Sequence, residues 1–287
     1  MSRDICVTDL MTQGIPGPGN DRLISYVRHD GGVSDDDSVL MRPAPEPDVV
    51  VAYGPGPADV AEVQLGGDDL PLVIVLHGGF WRPEYDATHL RAMIHGLAAE
   101  GFTSAAPEYR RIPGDPDSML EDVRVALRIL PVELRGRHDG HVVVMGHSAG
   151  GHLALWAAAV APPPGLVGTV ALAPVADLAG ADRERLGSDA VGAFLGGPAS
   201  SRPDLDPTLM ASPPEPVVLL HGDADLAVPL RQSEAYAAAH PDAVLQVLAG
   251  EGHFGLIDPA SDVWPQVVAA VRGVARPETV GGTSGAT

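Results

Sequence analysis

Lysine is missing from this chain. All 18 Lys+Arg positions are arginine, set against 38 Asp+Glu, and the formal net charge is −20 over 287 residues. Codon bias is the plainest account of the missing lysine, but the charge itself has a physical consequence. An acidic surface keeps a chain in solution and disfavours nucleic acid and anionic membranes as partners. Cysteine occurs once, at Cys6, which excludes an intramolecular disulfide. Long hydrophobic runs are absent too: none approaches the roughly 20 apolar residues needed to cross a bilayer. The opening MSRDICVTDLMTQG lacks the apolar stretch of a secretory signal. The expectation is a cytoplasmic protein, monomer or homodimer, that acts on a small-molecule substrate.

What is present points to an α/β architecture. At 45% hydrophobic, the chain can fill one large core. Residues 1–48 are rich in turn formers and acids (GIPGPGN, HDGGVSDDDS, MRPAPEP) and read as a largely irregular N-terminal arm with room for one short helix. Asp35, Asp36 and Asp37 read as a solvated loop, since no ligands follow at calcium-loop spacing. Over residues 49–275, strand-like and helix-like runs alternate. DVVVAYG and VAEVQLG flank a Pro/Gly turn and predict an antiparallel pair. PLVIVLH is apolar almost throughout, the mark of a strand covered on both faces.

Helices are expected at ATHLRAMIHGLAAEG, ending at Gly101, and at DSMLEDVRVALRILPVEL, capped by Asp117 or Ser118. Strands are expected at FTSAAPEY, HVVVMG, LVGTVALAPVADL, EPVVLLHG and AVLQVLAG, with further helices at LRQSEAYAAAH and DVWPQVVAAVRGVA. Residues 178–214 read as a short, irregular cap segment with one helix around Ser188–Leu195, and residues 276–287 as a disordered tail. The sum is a doubly wound, mostly parallel sheet with helices on both faces and a short cap insertion.

One stretch carries chemistry. Gly146-His147-Ser148-Ala149-Gly150 lies between the strand HVVVMG and a helix, the context in which G-x-S-x-G forms a nucleophile elbow. The glycines leave room for the turn, and the helix N-terminus offers free N–H groups to an anion. A serine needs a base. Of 11 histidines, His253 lies in a loop after the last strand, at the sheet edge that carries Ser148. His147 sits inside the elbow and His152 on the following helix, both in packing positions. His147 also borders the substrate side. His138 and His141 face solvent, and His221 ends a strand. HGDADLAVP offers Asp223 and Asp225 as the acid that orients the base, and Asp225, deeper in the loop, is favoured. The close Asp pair finds no further ligands for a metal, and no cofactor is expected. HGGFW follows the buried strand; Gly79 and Phe80 there, with Ala149 of the elbow, are the candidate oxyanion donors. Gly78, Phe80 and Trp81 line the substrate side.

These elements resemble an α/β-hydrolase over about Val49 to Ala275, in the order Ser…Asp…His of that superfamily. HGGFW and GHSAGG resemble the hormone-sensitive-lipase-like esterases, with Phe80 where their loop usually carries a third glycine. HGG-aromatic-Trp, with AYGPGP, PEYRR and GHSAGGHLA, is more similar still to the kynurenine formamidase (arylformamidase) group. That resemblance implies hydrolysis of an aryl formamide such as N-formylkynurenine to formate and an aryl amine. A general short-chain carboxylesterase is the alternative. A lyase or cyclase on the same fold is a third reading, and a non-catalytic binding protein would have lost a triad position.

Overall fold

The computed structural model describes residues 24–28 and 37–275. Among these, nine strands form one sheet. They are β1 (Ile24–Arg28), β2 (Val49–Ala52), β3 (Val60–Gln64), β4 (Leu72–Leu76), β5 (Ser104–Pro107), β6 (Val142–His147), β7 (Leu166–Leu172), β8 (Val217–Gly222) and β9 (Val244–Ala249). Their order across the sheet is β1-β9-β8-β7-β6-β4-β5-β3-β2. Neighbours from β1 through to β5 are parallel, while β3 runs antiparallel to both β5 and β2.

The apolar runs become strands because both of their faces are covered. In β4, Leu72, Ile74 and Leu76 enter one core layer, while Val73 and Val75 enter the other. β6 divides in the same way, with Val142 and Val144 opposite Val143 and Met145. Period-2 alternation thus turns a continuous apolar run into two buried stripes. One layer is closed by α1 (Arg91–Ala99) and α7 (Trp264–Ala275), through Met93, Ile94, Leu97, Val267 and Val271. The other is closed by α2 (Pro116–Glu133) and α3 (Ala149–Val160), with α6 (Arg231–Ala239) beside them on β8 and β9.

Two expectations need correcting, and one element is added. Within the arm read as largely irregular, Ile24–Arg28 adds a parallel edge strand to β9. Such pairing depends on β9 being in place, which local composition does not report. The cap of α2 is Asp115, whose carboxylate accepts from Ser118 N at 3.2 Å, not Asp117 or Ser118. Pro116 at the first helical position is the reason, since its fixed φ suits N1 and moves the start upstream. Residues 178–214 carry two helices rather than one: α4 (Leu178–Arg183), capped by Asp177 on Gly180 N at 2.7 Å, and α5 (Leu186–Leu195). Gly187, Ser188 and Asp189 all have left-handed φ, so the regular part of α5 begins at Ala190. Asp37 opens a short 3-10 helix over Asp37–Met41. Cys6, Asp35, Asp36 and the tail 276–287 lie outside the described residues.

Because β4, β6, β8 and β9 are parallel, their C-terminal ends share one edge of the sheet. HGGFW, Ser148, the Asp223–Asp225 loop and the His253 loop all emerge there, the edge at which open α/β sheets present ligand sites.

Candidate active site

The turn from β6 into α3 is possible because of its glycines. A Cβ on Gly146 would overlap the carbonyl oxygen of Gly150, and one on Gly150 would overlap the carbonyl oxygen of Leu76. Ser148 takes up the strain of this close approach, at φ 56° and ψ −120°. A non-glycine residue in such a region costs about 1–3 kcal/mol, so the surroundings must hold it there. They do so on the backbone. Ser148 N donates to Leu172 O at 2.8 Å, and Ser148 O accepts from His152 N and Val175 N.

The acid and the imidazole meet across two loops. His253 Nδ1 lies 2.6 Å from Asp225 Oδ2, with both side chains buried. The other carboxylate oxygen, Asp225 Oδ1, accepts from Ala227 N at 2.8 Å and Val228 N at 2.7 Å. Burial works to raise the Asp225 pKa, but the hydrogen bonds from His221, His253 and Val228 N outweigh it, and the carboxyl is held well below its usual range. Asp223 is exposed, and its carboxylate accepts from Gly250 N at 2.6 Å, bracing the two loops against each other. Ala224 N donates to Glu251 O in the same brace.

The HGGFW loop is also strained. Gly79, Phe80 and Trp81 follow one another at φ 106°, 49° and 57°. Gly78 abuts the elbow: a Cβ there would lie 3.1 Å from Ser148 Cβ and 3.0 Å from His147 O. Ala149 is the first residue of α3, where helix N–H groups lack intrahelical partners. Phe80 is half-buried against the cap, where a Cβ on Gly187 would meet its ring at 2.8 Å. Arg82 donates to Gly187 O and lies 5.9 Å from the Phe80 ring centroid, fastening the cap to this loop.

Two residues placed on the substrate side have other partners. Trp81 is 4% exposed and stacks on Phe194 of α5 at 4.5 Å, so its ring anchors the cap. His147 is 2% exposed; its Nε2–H donates to His253 O at 3.0 Å, and its ring lies 4.4 Å from the His253 ring. Burial first, and the His253 charge second, push the His147 pKa well down, so it stays neutral and supports the His253 loop. His138 is half-buried and meets Pro131 O at 3.1 Å, while His141 is exposed.

Two buried histidines beside the site have no role in it on the sequence alone: His221 reads only as ending a strand, and His77 is not singled out. His221 is fully buried, with Nδ1 2.7 Å from Ser233 Oγ and Nε2 2.8 Å from Val228 O and 3.4 Å from Asp225 Oδ2. His77, also fully buried, stacks on Tyr109 at 4.1 Å. A signal for both was present: VLHG and LLHG each end a buried strand with a polar ring before a glycine. A buried polar ring must be hydrogen-bonded, and here the bonds hold site loops.

Known proteins resemble this chain in part. Over 109 residues the chain is 34% identical to kynurenine formamidase of Danio rerio, a match covering 36% of each chain. Over 184 residues it is 30% identical to esterase LipC of Mycobacterium tuberculosis, covering 54% of this chain and 45% of that one. The chain therefore spans less than half the length of these relatives. Among solved structures, a phosphonate-inhibited esterase B from Lactobacillus rhamnosis superposes with a TM-score of 0.68 at 19% identity, covering 84% of this chain and 91% of that one. An esterase from Pyrobaculum calidifontis gives a TM-score of 0.63 at 18% identity, covering 83% and 88%. At such identities the likeness concerns the fold, which is that of the α/β-hydrolases. Residues 59–239 match the BD-FAE family, and the chain belongs to that family of esterase-like α/β-hydrolases.

Proposed function

We propose that this protein is a serine hydrolase that removes a small acyl group from an aryl ester or aryl formamide. The observation that carries the reading is the strained Ser148 on one sheet edge with the buried His253–Asp225 pair. Asp225 accepts the Nδ1 proton of His253, which leaves Nε2 to act as the base. Ser148 Oγ attacks the acyl carbon as His253 takes its proton. The N–H groups of Gly79, Phe80 and Ala149 receive the oxyanion. His253 then protonates the departing phenol or aniline, and water releases the acid by the same two steps.

The small acyl group follows from Phe80. It stands where the resembled esterases carry a third glycine, and its ring is wedged between the oxyanion loop and Gly187 of the cap. Kynurenine formamidase and esterase LipC, the relatives named above, are a formamidase and an esterase, which brackets the leaving-group chemistry. The test compares kcat/KM for N-formylkynurenine, p-nitrophenyl acetate and p-nitrophenyl octanoate. We expect the formamide to be cleaved, acetate to be preferred over octanoate, and Ser148→Ala to lose on the order of 10⁶ in turnover. Near-native activity of a folded Ser148→Ala overturns the mechanism. Fast acetate turnover with an untouched formamide replaces this substrate by short-chain carboxylic esters.

A further inference from the structure

We propose that His77, held by Arg111, is a positioning residue that aims the Gly79 N–H into the oxyanion hole. The inference rests on the serine-hydrolase reading above and assigns a role within that site to PEYRR, a motif whose chemistry the reading leaves unused.

The argument starts at the peptide between Gly78 and Gly79. It is trans, so its C=O and N–H point in opposite directions. Whatever fixes the carbonyl therefore fixes the N–H. His77 Nδ1 lies 2.8 Å from Gly78 O, inside the protein. A carbonyl oxygen only accepts, so Nδ1 must carry a proton. On the other side of the ring, Arg111 Nη1 lies 3.2 Å from His77 Nε2. The same Nη1 also donates to Glu108 Oε1 and Tyr109 O, and Glu108 Oε1 lies 3.5 Å from Nε2, so this end of the ring is held by a charged pair. The contact that fixes the proton the argument needs is the one at Nδ1. Glu108 is itself fixed by Tyr109 N and Ala87 N.

The ring cannot swing away from this task. It stacks on Tyr109 at 4.1 Å with an interplanar angle of 7°, and the Tyr109 hydroxyl donates to His77 O at 2.5 Å. Glu108, Tyr109 and Arg111 are consecutive or nearly so after β5, the strand beside β4. One strand end thus braces the next. Gly79 is left-handed at φ 106°. Arg82 N donates to Gly79 O at 3.0 Å and so holds the Gly79–Phe80 peptide plane, which leaves the Gly78–Gly79 plane before it to His77. A hydrogen bond to the Gly78 carbonyl is the device that sets the donor in advance, which is what oxyanion stabilisation requires.

The test exploits ring geometry. In His77→Asn the amide nitrogen takes the place of Nδ1, whereas in His77→Gln it takes the place of Nε2. With p-nitrophenyl acetate, we expect His77→Gln to lose about 10²-fold in kcat with KM within about 3-fold. His77→Asn should retain at least about ten times the kcat of His77→Gln. Inactivation by an aryl phosphonate, which also needs the oxyanion donors, should follow the same ranking. Equal losses in the two variants, or losses confined to KM, overturn the proposal while leaving the serine-hydrolase reading intact. If the wild type neither hydrolyses the ester nor reacts with the phosphonate, the reading fails and the proposal with it. The wild type also answers without any variant: imidazole nitrogen NMR should show His77 protonated at Nδ1, and a bare Nδ1 overturns the proposal even if both variants fail to fold.

Discussion

Asp223 and Asp225 stand two positions apart in one loop, and the fold treats them in opposite ways. Asp225 is buried, saturated by two backbone N–H groups and bonded to His253; Asp223 is exposed and braces Gly250. An asparagine at position 225 keeps the shape but offers an N–H where His253 needs an acceptor, which favours the wrong imidazole tautomer. We expect Asp225→Asn to lower turnover by roughly 10⁴. Asp223→Asn keeps an oxygen for Gly250 N and should cost far less. Steady-state kinetics on the pair decides, and the reverse ranking would move the acid to Asp223. His221 completes this picture by holding Val228 O and Ser233 Oγ behind the acid loop.

At the scale of elements, the cap and the HGGFW loop are joined as one unit. Trp81 stacks on Phe194, Arg82 reaches Gly187, and Phe80 lies under the left-handed segment from Gly187 to Asp189. Gly114 and Gly196 close the far side, with Gly114 N donating to Ala193 O at 2.8 Å. In the proposed reading, Phe80 is the member of this unit that borders the acyl side. Its φ of 49° suits glycine better than phenylalanine, so Phe80→Gly relieves backbone strain while it removes the ring. We expect that variant to raise the octanoate-to-acetate ratio of kcat/KM by about 10-fold or more, in line with the value of a few methylenes in an apolar pocket. An unchanged ratio would place the acyl group elsewhere.

Across the whole molecule, buried histidines tie stability to pH. Burial lowers the pKa of His152 from 6.5 to about 4, only partly offset by its bond to Leu205 O. Burial lowers His89 to about 4 as well. Such a group binds its proton more readily when unfolded. The stability it supports is therefore complete above about pH 6.5 and is lost as the pH falls towards 4. Denaturant unfolding should show this loss before most carboxylates titrate. In His152→Gln the fall in stability between about pH 7 and about pH 4.5 should be smaller by about 2–3 kcal/mol. A fall of the same size in variant and wild type would show that His152 is not a source of it. Among the described residues, no helix is long and apolar enough to cross a membrane.

The sequence by itself determined what is local. Alternating burial wrote β4 and β6 as apolar runs, G-x-S-x-G announced a strand-to-helix elbow, and the chain order placed Ser148, the Asp223 and Asp225 pair, and His253 after β6, β8 and β9. Each of these signals is carried by a few neighbouring residues, so composition and period suffice to read it. Only the tertiary structure decided what depends on residues far apart. It made Ile24–Arg28 an edge strand on β9, and gave His253 to Asp225 rather than Asp223. It set Trp81 against Phe194 of the cap and His147 against the His253 loop. It also brought Arg111 and Tyr109 onto His77. The reason is the same in each case: a side chain's partner is fixed by which strand ends the sheet sets side by side, and that order, β9-β8-β7-β6-β4-β5, is not the order of the chain.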